Sequence, residues 1–161
     1  MLPNRELIQT MNALLQLHDS LWSVTEKKTE ILQKGDTEAL QQLLKEEDKH
    51  VRAIEKVERK RQQLVRDLVP EHGTSSFDDC LAYVSIADKE KMLAIREELA
   101  GKLLQIKERN VLNQELLNQS LHFVHLSMNM LRPKEEATTY GPQKGKKPQQ
   151  QNGQGFFQAK V

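Results

Sequence analysis

The five prolines of this chain are the feature that most restricts its fold. They stand at positions 3, 70, 133, 142 and 148, and they leave two long proline-free intervals, 4–69 and 71–132. Proline inside a helix removes a backbone hydrogen bond and clashes with the preceding turn, so long helices can lie only in those intervals. With 29% charged and only 4% aromatic residues, the composition also favours long helices over a β-fold. The chain is therefore predicted to be all-α.

Glycine and capping residues divide the two intervals further. The predicted helices cover about residues 3–34, 37–69, 77–84 and 88–131. Gly35 is placed to end the first helix, because glycine readily adopts the left-handed conformation that follows a last helical turn. The predicted N-caps are Asp36 or Thr37 for the second helix, Ser75 or Ser76 for the short one, and Ser85 or Asp88 for the last.

Apolar residues recur at helical spacing on all three long segments. On the last helix they form a core stripe, which consists of Met92, Ile95, Leu99, Leu103, Ile106, Leu117, Leu121, Val124, Met128 and Leu131. Such stripes are best buried when the helices pack antiparallel, so we predict a three-helix bundle or coiled-coil rod. An open hairpin that dimerises is the alternative. Asn110 and Asn113 interrupt the core stripe, either where the helix leaves the bundle or as polar pairs that set its register.

The composition changes from residue 132 onward. The segment 132–161 is rich in Gln, Gly and Pro, and its six basic and two acidic residues give it a net charge of +4. A segment of this kind buries too little apolar surface to offset the entropy lost on ordering. We therefore predict one helical domain over residues 1–131, followed by a disordered basic tail over 132–161.

Several classes of function are disfavoured. The sequence holds no glycine-rich phosphate loop, nucleophile elbow or HExxH motif, and we predict no enzyme, no metal site and no cofactor. Cys80 is the single cysteine, which excludes an intrachain disulfide. The net charge of +1 offers no general attraction to nucleic acid. The N-terminus lacks a signal-peptide pattern and no segment is apolar enough to insert stably in a membrane, so a cytoplasmic protein is expected.

A second apolar stripe lies about a third of a turn from the core stripe on the last helix. It consists of Leu112, Leu116, Phe123 and Met130, at steps of 4, 7 and 7 residues. A face this wide could pack against two helices of the bundle. It could equally remain exposed as a surface for a partner segment, for which flexible Met and Leu side chains are suited.

These residues bear a family resemblance. The sequences NQELLNQSLHFV and MNML, followed after a polar spacer by YGPQKG, resemble the carboxy-terminal region of the FlgN family. Glu58, Arg61 and Leu64 are similar to the ExxRxxL pattern of that family. The resemblance covers essentially residues 1–145, whereas the Gln-rich end, 146–161, departs from it.

The resemblance implies a flagellar type III export chaperone. Its clients would be the hook–filament junction proteins FlgK and FlgL, kept from premature assembly and delivered to the flagellar export gate protein. By position, residues 103–131 would bind the client. We call Leu112, Leu116, Gln119, Phe123 and Met130 the client stripe. Tyr140 and Gly141 match the Tyr-Gly of the family and would dock at the export gate.

Two other functions remain open from the sequence. One is a generic coiled-coil scaffold or homodimerising adaptor without an export role, in which the second stripe would join two copies. The other is a peripheral membrane protein anchored by its basic tail, although four net charges spread over thirty residues would bind lipid weakly.

Overall fold

The computed structural model describes residues 3–70 and 76–132, and these residues form helices joined by short connections. The helices are α1 (Pro3–Lys34), α2 (Thr37–Leu68), α3 (Phe77–Cys80) and α4 (Ile86–Leu131), with a 3₁₀ turn at Leu81–Tyr83. The fold is all-α, as predicted. The predicted tail lies outside the described residues, except for Arg132.

The helix ends form where the sequence provides the chemistry for them. Gly35 has a φ of +70° and ends α1, and the Asp36 carboxylate accepts a hydrogen bond from the amide of Ala39 to cap α2. Ser76 and Asp79 form a reciprocal capping box on α3. The Ser85 hydroxyl caps α4. These caps satisfy backbone amides that have no partner inside the helix.

The long helices run up, down and up. Ion pairs show that α2 runs antiparallel to α1, with Lys60 Nζ 3.0 Å from the Glu6 carboxylate and Lys28 Nζ 3.1 Å from that of Glu47. Helix α4 returns parallel to α1, and it places Lys102 Nζ 3.3 Å from Asp19. Helix α1 packs along both α2 and α4, so it is the central helix of the bundle.

The apolar core is concentrated at the end of the bundle where α1 begins. All the helices and the 3₁₀ turn contribute to it, and its buried members are Leu7, Met11, Leu64, Val65, Cys80, Leu81 and Met92. Leu64 is the last residue of the ExxRxxL pattern, so that position serves packing. Because the side chains of Leu7, Cys80 and Met92 are fully buried, this end fixes how the helices are arranged.

The buried face of α1 becomes polar toward its other end. Thr25 donates a hydrogen bond to the Leu21 carbonyl at 2.8 Å, and His18 Nδ1 lies 2.7 Å from the Leu14 carbonyl. Asn113 of α4 is 2% exposed and lies among these polar side chains. Its Oδ1 accepts from the Thr29 hydroxyl at 2.6 Å, and its Nδ2 donates to the Thr25 carbonyl at 3.2 Å. We call His18, Thr25, Thr29 and Asn113 the polar layer. Of the two interpretations of Asn113, the structure therefore shows the polar pair within the bundle.

We expect the two described glycines to respond in opposite directions to alanine. No heavy atom lies within 4 Å of a methyl group added at Gly35 or at Gly101. Gly35→Ala should lower the free energy of unfolding by about 1–2 kcal/mol, because a side chain is strained at positive φ. Gly101→Ala should raise it by up to about 1 kcal/mol, because alanine is the better helix former. Urea denaturation compares both variants with the parent. Equal effects would contradict the assigned end of α1.

Candidate functional site

The register between α1 and α4 decides which part of α4 is covered. Asn113 lies 88 positions after Thr25 and 84 positions after Thr29, so Lys34, at the end of α1, is level with about residue 120. Helix α4 continues to Leu131. Residues 121–131, which we call the overhang, therefore extend roughly 16 Å past α1 at 1.5 Å per residue.

The overhang exposes apolar side chains. The large hydrophobic residues exposed there are Leu121, Phe123, Val124, Leu126, Met128, Met130 and Leu131. Phe123 is 70% exposed and Met130 is 83% exposed. Such an accumulation of apolar surface on one helix is typical of a site that another protein covers.

This apolar surface is also uncharged. Residues 116–131 contain no Asp, Glu, Lys or Arg, although 29% of the whole chain is charged. His122 and His125 are exposed on the opposite, polar face together with Asn118 and Asn129. A partner would therefore meet apolar and neutral polar groups, and its own contact face must be largely uncharged as well.

The structure corrects the predicted course of the core stripe. Leu121, Val124 and Met128 were expected to face the bundle, but they are exposed because α1 has ended before their level. Leu103 and Leu131, two further members of the core stripe, are exposed as well.

The client-stripe residues lie on one side of α4, and all of them are accessible in part. Phe123, Met130, Leu112 and Gln119 are exposed, and Leu116 is half-buried beside the polar layer. Phe123 and Met130 lie in the overhang, whereas the other three lie level with the last turns of α1. Tyr140 and Gly141 lie outside the described residues. The stripe thus begins on the bundle and continues onto the overhang.

The bundle also has a concave feature that was not predicted from the sequence. Where α2 and α4 diverge over α1, they leave an open groove of about 430 Å³. Its lining is mainly apolar and consists of Met11, Leu14, His18, Ile54, Glu58, Arg61, Phe77, Arg96, Leu99 and Leu103. These residues come from four helices, and no local motif in the sequence marks them as neighbours.

The first two residues of the ExxRxxL pattern form an ion pair at this groove. Arg61 donates to both carboxylate oxygens of Glu58, at 2.8 and 2.7 Å. The hydrogen bonds from Arg61 lower the pKa of Glu58, and the same bonds raise the pKa of Arg61. Both groups are therefore charged at neutral pH and already satisfied by each other. The pair lies within α2, one turn apart, and forms part of the lining of the groove.

This ion pair gives the stability of the protein a defined pH dependence. The lowered pKa of Glu58 means that its contribution is present above the ordinary carboxyl pKa, about 4.3, and is lost as the pH falls through the folded value. We expect Glu58→Gln to be less stable than the parent at pH 7 and to lose less stability on acidification. Urea denaturation between pH 3 and 7 measures both. If the free energy of unfolding changed with pH in the same way for the two proteins, the ion pair would be contradicted.

Cys80 offers no accessible nucleophile. Burial raises the pKa of its thiol, and the side chain lies in the apolar core. Across residues 3–70 and 76–132, no helix is long and apolar enough to cross a membrane.

These features together define a class of protein. A helical bundle that extends one uncharged, apolar helix end beyond its core has the form of a binding module for another polypeptide. The comparisons with known proteins agree. The sequence pattern of the FlgN protein family matches residues 1–148. The chain therefore belongs to the FlgN family, a family of flagellar export chaperones.

One curated relative supports the same assignment. The uncharacterized protein YvyG of Bacillus subtilis is 30% identical over 136 residues, which cover 84% of this chain and 85% of the relative. The similarity thus extends over most of both chains. No solved structure matches this chain.

Proposed function

We propose that this chaperone binds terminal segments of the hook–filament junction proteins FlgK and FlgL in the cytoplasm. The client stripe and the overhang form the binding surface. The observation that carries the proposal is that an uncharged helix end exposes seven large apolar side chains, with the client stripe running onto it. A client segment that is disordered alone would fold on this surface as a helix and would thereby be kept from self-association.

The expected affinity is compatible with a client that must later be released. The four apolar side chains of the client stripe each contribute about 1.5–3 kcal/mol when fully buried. Part of that gain is offset by the ordering of a flexible segment and by lost translational freedom. Binding in the micromolar to nanomolar range follows. No bond is made or broken in this mechanism, and the chaperone acts stoichiometrically.

We further propose that Tyr140 and Gly141 dock the loaded chaperone at the export gate protein. Both follow the end of the overhang within ten residues of the sequence. The support for this role is the Tyr-Gly resemblance. Tyr140→Ala should reduce affinity for the gate protein and leave client affinity unchanged, as measured by titration with each partner separately.

A calorimetric titration tests client binding. The carboxy-terminal helical segment of FlgK from the same bacterium is titrated into the full chain, and we expect saturable 1:1 binding. Leu116→Ala/Phe123→Ala should weaken binding by at least about tenfold, because central apolar anchors carry most of the energy of an interface. Leu44→Ala/Val51→Ala is the matched control, since those two exposed aliphatic side chains lie on α2. The control should bind as the parent does.

The main competing function is a homodimerising scaffold, which the same exposed apolar surface would also serve. That function would be favoured if the molecular mass in solution rose from monomer to dimer with increasing protein concentration, and if titration with FlgK or FlgL segments produced no heat. Equal loss of affinity in the α2 control would instead indicate that the client binds elsewhere on the bundle.

A further inference from the structure

The exposed apolar residues of the overhang fall into two groups around the helix. At 3.6 residues per turn, Phe123, Leu126 and Met130 lie within an arc of roughly 60°. The other group spans roughly 80° and consists of Leu121, Val124, Met128 and Leu131. The half-buried Ser127 lies between the two groups. The overhang therefore has two apolar faces, and they belong to the client stripe and to the core stripe respectively.

Together these faces cover an arc of roughly 220°. A helix that packs against one neighbour presents an apolar stripe of about 100°. The overhang thus has about twice the apolar width that a single bound helix would cover. If only one helix were bound, one of the two faces would remain in water.

The second face continues an interface that already exists inside the bundle. Met92, Ile106 and Asn113 are the buried residues of α4, and Leu121, Val124 and Met128 extend the same side of the helix. That side packs on α1 until α1 ends at Lys34. Beyond Lys34, a helix in line with α1 would pack on Leu121, Val124 and Met128 as α1 packs on the preceding turns.

The absence of charge restricts what such an occupant can be. No charged side chain occurs between residues 116 and 131, whereas the described surfaces of α1 and α2 carry many. A second copy that docked through the outer surface of its own bundle would bury those charges without partners, at a large cost. An amphipathic helix with a wholly apolar contact face fits both faces of the overhang.

We propose that one client molecule occupies the overhang with two amphipathic helices, an inference that rests on the proposed chaperone function. One helix packs on Phe123, Leu126 and Met130. The other packs on Leu121, Val124 and Met128, in line with α1 and against its end at Lys34. The overhang then becomes the third helix of a short bundle in which the client supplies the other two.

Two double variants test this arrangement in the full chain, with full-length FlgK from the same bacterium as the probe. Phe123→Ala/Met130→Ala truncates one face, and Leu121→Ala/Met128→Ala truncates the other. Each pair should weaken 1:1 binding by at least about tenfold, because each removes two apolar anchors. His122→Ala/His125→Ala on the polar face is the matched control and should change affinity by less than about twofold. Circular dichroism checks that all variants keep the helicity of the parent.

The remaining outcomes overturn the inference in distinguishable ways. If only the first pair weakens binding, one client helix suffices and the proposed function stands. If Leu121→Ala/Met128→Ala bound FlgK more tightly than the parent, a segment of this chain would cover the face formed by Leu121, Val124 and Met128. A dimer of the free protein that dissociates in the second pair would assign the face to a second copy. No binding of FlgK or FlgL by the parent would contradict the proposed function itself.

Discussion

Leu7→Ala is expected to lower the free energy of unfolding by about 2–5 kcal/mol. Leu7 is fully buried in the cluster where every helix of the described chain meets, beside Met11, Val65 and Met92. Removing its side chain loses the transfer free energy of the missing carbons and leaves a cavity that the packed neighbours cannot fill. Urea denaturation followed by circular dichroism measures the change.

Leu44→Ala provides the control for this prediction. Leu44 is on α2 and is 44% exposed, so its truncation should change the free energy of unfolding by less than about 1 kcal/mol. If the two variants lost equal stability, the core would not be concentrated at the Leu7 end.

Asn113→Ala is expected to destabilise the protein by about 1–3 kcal/mol, because it removes both hydrogen bonds between α4 and α1 and leaves a small cavity. Thr29→Val should cost less, since it removes one donor and keeps the volume. The double variant should be less destabilised than the sum of the two single variants, by roughly 0.5–3 kcal/mol. This double-mutant cycle isolates the contact between the two side chains.

Thr10→Val is the matched control for Thr29→Val. Thr10 is buried on α1 as Thr29 is, but its hydroxyl donates only to the Glu6 carbonyl of its own helix. The losses in the free energy of unfolding caused by Thr10→Val and by Asn113→Ala should add in the double variant. Coupling of similar size at Thr10 would mean that the cycle reports a general loosening of α1 and not the hydrogen bond at Asn113.

Asn113 also connects stability to function. Because it pairs with Thr25 and Thr29, it fixes the level at which α4 passes the end of α1. A shift of α4 by one turn toward its N-terminus would withdraw four residues of the overhang onto the bundle. The polar layer thus takes the place of apolar side chains in the core at this end of α1. It also sets the length of α4 that extends past the bundle and is accessible to a client.

The helix ends could be predicted from the sequence because each depends on local chemistry. Gly35 ends α1, and Asp36, Ser76 and Ser85 cap the following helices through side-chain bonds to nearby amides. These interactions involve residues three or four positions apart. A single sequence contains all the information that they require.

The exposure of the core stripe could not be predicted in the same way. Periodicity places Leu121, Val124 and Met128 on the side of α4 that faces the bundle, and that assignment is geometrically right. It does not reveal that α1 has ended at their level, which depends on pairing between residues more than eighty positions apart. The groove between α2 and α4 was missed for the same reason, since its lining comes from four helices.

Periodicity also left two interpretations of Asn113 open. Its spacing alone is equally compatible with a helix that leaves the bundle and with a buried polar pair. Only the position of Thr29 on α1 decides between them. The exposure of Phe123 and Met130 was one of two alternatives that the sequence left open, because their stripe lies off the core stripe by about a third of a turn and could also have packed on a second helix.

Amide hydrogen exchange of the full chain, with and without bound FlgK, tests client binding at the overhang most directly. In the free protein we predict fast exchange over residues 121–131 and slow exchange around Leu7, Met11 and Met92, since α1 ends before the overhang begins. Saturating FlgK should slow exchange throughout 112–131 and leave the Leu7 end unchanged. Slowing confined to α2 or to the groove between α2 and α4, with the overhang still exchanging fast, would contradict the assigned binding site.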